Sequence, residues 1–153
     1  MIVDSLDQEF SSLIEDLKRL ATAVNRDLLY RHPPAVSIGE QILRSAAAVE
    51  QTFGGLTSNL WDDPFEWTLP ETLSTPAAIV EYLSEVDALR QLTFDSIGGD
   101  ADLVRYISVP SGEATTLVKL LLETLVKASD YRGRATASHK EAQKEQEHEQ
   151  NSM

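Results

Sequence analysis

The sequence predicts an all-α protein, a four-helix bundle with a long connection between its third and fourth helices. Three observations lead there. Four separate stretches carry apolar residues at helical spacing, helix-start signals stand at the heads of several of them, and proline- and glycine-bearing segments separate them.

The first stretch begins at Ser5-Leu6-Asp7-Gln8, which has the form of a capping box. Leu6, Phe10, Leu13, Leu17, Leu20, Val24 and Leu28 then recur at helical spacing, and Pro33-Pro34 are expected to end the helix. A second capping box, Ser37 with Glu40, opens a helix whose stripe is Ile38, Ile42, Ala46, Val49, Phe53, Leu56 and Leu60. The small run Ala46-Ala47-Ala48 permits close approach on more than one face. Residues 61–75 read as a loop, and the two tryptophans within it are expected to plug the end of the core.

Thr75-Pro76 starts the third helix, with proline at the tolerated first position and a stripe through Ile79, Leu83, Val86, Leu89 and Ile97. Gly98-Gly99 is expected to end it. Asp100 to Leu103 is expected to form one turn, Val104 to Val109 an extended crossing, and Ser111 or Gly112 the start of the fourth helix. The bundle domain is placed at residues 1–137. Residues 138–153 form a polar tail, in which His139 and His148 are expected to be solvent-exposed.

Composition narrows the partners. The 153 residues are 42% hydrophobic, enough for one domain with a core. The formal charge is −12, so a nucleic-acid backbone is disfavoured as a partner. The tail carries two lysines and four glutamates, which leaves −10 on the body. No apolar run approaches the ~20 residues that a membrane helix needs, so no membrane partner is expected. Cysteine is absent, and the N-terminus lacks a signal-peptide pattern; both fit a cytoplasmic protein. Asp62-Asp63 and Asp100 with Asp102 read as turn and cap residues.

The motif-bearing stretch is Leu117 to Arg134, ending in Lys127-Ala128-Ser129-Asp130-Tyr131-Arg132-Gly133-Arg134. Together with Asn25-Arg26, the segment Ser37 to Arg44, and Glu71 to Leu83, it resembles the DinB-like superfamily of four-helix bundles, which includes thiol-dependent transferases. The family's fourth helix ends in histidine, three residues, then histidine-arginine-glycine-glutamine; of these only Arg132-Gly133 is unchanged. The resemblance implies zinc or nickel held by three histidines, two from the fourth helix and one from the second. The matching positions here are Arg44, Lys127 and Tyr131. Arginine has no lone pair to donate, and lysine donates only after losing a proton. The family metal site is therefore expected to be absent, with no cofactor.

Two cations and a phenol in those places suggest a pocket for a small anion, if they converge. The competing reading is solvation and packing: Lys119, Glu123 and Lys127 form an i,i+4 ladder, and Arg44 lies away from its helix's apolar stripe. The expected function is a non-catalytic protein that binds a small anion or self-associates, with a homodimer as the commonest closed form. The alternative implied by the resemblance is a thiol-dependent transferase or hydrolase using other metal ligands.

Overall fold

A computed structural model of the chain describes residues 1–66 and 70–151. Among them are five α-helices: α1 (Ile2–Ala23), α2 (Arg26–Leu29), α3 (Ile38–Ser58), α4 (Pro76–Asp95) and α5 (Leu117–Asn151). Two short 3-10 turns, Pro64–Glu66 and Asp100–Val104, and two three-residue strands, β1 (Tyr106–Ser108) and β2 (Ala114–Thr116), complete the described elements. Trp67, one of the two tryptophans expected to plug the core, lies outside the described residues.

Helix starts follow local chemistry where a capping side chain stands in place. The Ser37 hydroxyl accepts from the Glu40 amide at 3.2 Å, and Thr75 accepts from Ala78 at 3.1 Å ahead of Pro76. The start of α1 corrects the expectation. It begins at Ile2, and Ser5 lies inside its first turn, donating to the Met1 carbonyl. The free amides of Ile2 and Val3 are capped instead by the Asp100 carboxylate, at 3.1 and 3.0 Å, from the far side of the chain. Those amide bonds hold the Asp100 carboxyl below its usual range.

The first helix is also shorter than its apolar pattern. It ends at Ala23, Val24 is extended, and Asn25 caps the four-residue α2 with a bond from the Asp27 amide. The break precedes Pro33-Pro34 because Asn25 offers the backbone a competing turn. Leu28 and Leu29 nevertheless remain buried, so the apolar periodicity reported the core correctly across the break.

Contacts between the helices set their directions. Ser45 donates to the Ala128 carbonyl at 2.7 Å and Thr52 meets Thr124 at 2.7 Å, so α3 and α5 run antiparallel. Asp7 pairs with Arg90, and Val3 meets Asp100 just beyond α4, so α1 and α4 are also antiparallel. The starts of α1 and α5 both lie against residues 100–104, and Asp16 pairs with Arg132 farther along, so these two helices run parallel. It follows that α3 and α4 run parallel. A 20-residue helix is about 30 Å long, so the connection 59–75 has to span roughly that distance and cannot be a tight turn.

The core is closed by three phenylalanines from three helices. Phe10 and Phe53 lie edge to face with centroids 4.9 Å apart, and Phe94 completes the trio at 5.8 and 6.0 Å. Such pairs add about 0.5–1.5 kcal/mol beyond their burial. Arg90, one turn before Phe94 on α4, is buried and paired with Asp7 and Asp87, as a buried charge requires.

The region between α4 and α5 departs most from the expected elements. Within the expected crossing, Val104 to Val109, Tyr106–Ser108 form a strand, and Ala114–Thr116, expected to lie in the first turn of the fourth helix, form its antiparallel partner: Tyr106 pairs with Thr116 and Ser108 with Ala114. Pro110 and Gly112, the latter at φ +85°, make the turn. The β-branched pair Thr115-Thr116 suits that strand, and α5 therefore begins at Leu117, not at Ser111 or Gly112.

At the other end, α5 runs unbroken to Asn151. His139 is buried, which corrects its expected exposure; His148 is exposed. Ala135, His139 and Ala142 share one face of α5, and Ala142 lines a pocket with Pro33, Pro34 and Ile38. Burial pushes the His139 imidazole below its usual pKa. No described helix is long and apolar enough to cross a membrane.

Candidate functional site

Arg44, Lys127 and Tyr131 line one cleft. The antiparallel seam between α3 and α5 brings them together. The bond from Ser45 to the Ala128 carbonyl fixes the neighbours of Arg44 and Lys127, so those two side chains leave their helices on the same side. Tyr131, one turn beyond Lys127, extends that side along α5.

The cleft has further walls that the spacing of apolar residues did not reveal. Ala47 and Ala48 form its floor on α3, which accounts for the small run at 46–48. Gln51 follows one turn on, and Asp63 and Phe65 enter from the loop after α3. The Arg44 guanidinium lies 4.1 Å from the centre of the Phe65 ring, within cation–π range. Asp63 accepts from the Phe65 amide at 3.0 Å, which fixes the loop and bears out its reading as a turn residue. Gln51 donates to the Trp61 carbonyl at 2.9 Å, tying that loop to α3.

Arg44 and Tyr131 are half-buried and Lys127 is exposed. Neither Arg44 nor Lys127 forms an ion pair with a described residue; in the expected ladder only Lys119 and Glu123 meet, at 3.8 Å. The guanidinium of Arg134 lies 5.7 Å from the Tyr131 ring centre and is paired with Asp130 at 2.9 Å. Arg132, the unchanged residue of the motif, points elsewhere and pairs with Asp16 on α1 at 3.1 Å. Its role here is to hold α5 against α1.

The volume of this open cleft is small, about 30 Å³, enough for a water or two. A larger guest would sit at the mouth. The donor set does not fit zinc or nickel: a guanidinium, an ammonium and a phenol stand beside a single carboxylate. Among the described residues no three histidine or acidic side chains gather as metal ligands. Hydrogen-bond donors converging from two helices can instead hold an oxyanion.

No family model, curated protein or solved structure matches the chain.

Proposed function

We propose that this protein is a cytoplasmic DinB-like four-helix bundle that has exchanged a metal site for an anion-binding cleft and acts by binding rather than by catalysis. The single observation that carries the reading is the placement of Arg44 and Lys127 on one cleft, from two helices, with neither ion-paired to a described residue. Two like charges on one cleft repel, and an anion between them relieves that cost. The Tyr131 hydroxyl and the Gln51 amide offer uncharged donors to the same guest. The helix directions support the bundle, with α1 and α5 running one way and α3 and α4 the other.

The guest is a small carboxylate or phosphate. Asp63 weakens the positive potential, and the cleft is open to water, so the expected dissociation constant is on the order of 1 mM, about −4 kcal/mol. Calorimetric titration with inorganic phosphate and with acetate, at fixed ionic strength, tests it. Binding of either anion that weakens about tenfold in Lys127→Ala, a loss near 1.4 kcal/mol, is expected. Equal affinity in both proteins would end the anion reading.

Self-association belongs to the same reading. Leu122 and Val126 are exposed one turn apart on α5, an apolar pair suited to a two-fold contact between copies. Sedimentation velocity is expected to return twice the chain mass, and a monomer at all concentrations would remove the dimer.

A further inference from the structure

A second cavity opens between α3 and α4, and it is chemically unlike the first. Glu50, Gly54 and Thr57 line it from one face of α3, Leu89 from α4, and Leu60 and Asp62 from the loop between these helices. Its volume is about 230 Å³, against about 30 Å³ for the cationic cleft. That is somewhat below the roughly 300 Å³ at which drug-sized pockets begin, so it suits a fragment-sized guest.

The shape comes from the way α3 ends. Asn59 adopts a left-handed conformation, φ 55°, and the Leu60 amide returns to the Gly54 carbonyl at 3.1 Å. This C-terminal cap folds the chain back and places Leu60 beside Gly54. A methyl group at Gly54 would come within 3.2 Å of the Leu60 carbonyl oxygen, so glycine keeps the cavity's edge tight. Leu60 is left 63% exposed, an apolar lip with water on its outer side.

The polar feature of the cavity is Glu50. One of its oxygens accepts from the Tyr82 hydroxyl at 2.5 Å, where Tyr82 is a buried residue of α4. An ionised carboxylate offers about four lone-pair sites, and that hydroxyl uses one. Burial raises the Glu50 pKa, the Tyr82 hydrogen bond lowers it, and nearby Glu85 raises it again. A carboxylate partly withdrawn from water gains most from a charged N–H donor, because the desolvation cost has already been met in folding. Asp62 supplies a second acid among the lining residues, and the net charge of −12 draws cations toward the surface.

We propose that this cavity is a second binding site, for a small amphipathic amine whose protonated nitrogen meets Glu50 and whose apolar body lies between Leu60 and Leu89. An apolar wall with one half-buried acid, Glu50, and one exposed acid, Asp62, distinguishes such a guest from a metal ion, which would need more oxygen ligands, and from an anion, which both acids repel. The site shares no lining residue with the cationic cleft.

Phenethylamine, 2-phenylethanol and methylamine are the probes. Titration followed by amide chemical-shift mapping is expected to show phenethylamine binding at least about tenfold tighter than either of the others, with the largest shifts at Gly54, Thr57 and Leu89. Glu50→Gln keeps an acceptor for Tyr82 and is expected to bind phenethylamine at least about tenfold more weakly while keeping the native spectrum. Asp62→Asn, at an exposed loop position, is expected to weaken it by a smaller factor. Equal binding of the alcohol and the amine, unchanged affinity in Glu50→Gln, or shifts centred on Ala47 and Lys127 would each overturn the proposal. So would the absence of any shift in the wild-type protein.

Discussion

The two cavities flank one helix. Arg44, Ala47, Ala48 and Gln51 face the first, and Glu50, Gly54 and Thr57 face the second, roughly a quarter turn away around α3. The first is small, polar and bordered by cations; the second is larger, mostly apolar and bordered by acids. A helix presents a new surface every few residues, so one element can serve two unlike chemistries provided different partners close each face. Here α5 closes one and α4 the other. The loop after α3 serves both: Asp63 and Phe65 turn into the cationic cleft, while Leu60 and Asp62 border the acidic cavity.

That shared loop is where the contrast is easiest to break. It is seated by Trp61, whose ring lies over Gly55; a Cβ there would stand 2.3 Å from the ring. Gly55→Ala gains about 1 kcal/mol in helix propensity, but displacing the ring costs about 1–3 kcal/mol, so a modest net destabilisation is expected in urea melts. The larger effect is on binding. Both phosphate and phenethylamine affinities are expected to fall by about 1 kcal/mol or more, roughly fivefold, because both walls move together. Loss of one affinity alone would show that the loop seats only that site.

Next in size is the crossed test of independence. Lys127→Ala is expected to leave phenethylamine binding within about twofold of wild type, as distant sites without shared partners behave additively. If it weakens both guests alike, the two cavities are coupled through α3.

The smallest effect is on stability, and its sign separates the sites. The Glu50 pKa is raised in the folded protein, so the native state holds that proton more tightly than the unfolded chain does. Its contribution to stability is fully present below the unfolded carboxyl pKa and is lost as pH rises through the raised folded value. Glu50→Gln removes that loss. Its melting temperature relative to wild type is therefore expected to be higher at neutral pH than in acid, with the advantage shrinking as pH falls into the carboxylate range. A pH-independent difference between the two proteins would contradict the burial of Glu50.

The residues of the cationic cleft were legible as positions before the structure placed them, since a family resemblance singled out Arg44, Lys127 and Tyr131. Their convergence was not legible. On the helical wheel Arg44 stands away from the apolar stripe, and the side chain that gives it a neighbour, Phe65, comes from a loop with no periodicity of its own. Glu50 and Tyr82 were invisible for a related reason. Each reads as an ordinary residue on its own helix, and only the parallel packing of α3 and α4 joins them. His139 failed differently: a histidine between two alanines at helical spacing carries too weak an apolar signal to stand out from a polar tail, yet the helix face it shares is covered.

The amino-acid order by itself determined the predominantly helical class, the burial of nearly every residue on the apolar stripes, and the starts of α3 and α4. Those depend on contacts within three or four residues, where hydrogen-bond partners and side-chain spacing are set by the chain itself. Tertiary structure decided what caps α1, where α5 begins, and which surfaces of α3 become cavities. Asp100 reaches the amide of Val3 across 97 residues of chain, and Thr116 joins Tyr106 only once a hairpin has formed. Such contacts are selected by the free energy of the packed whole, against loop-closure entropy that no local window contains.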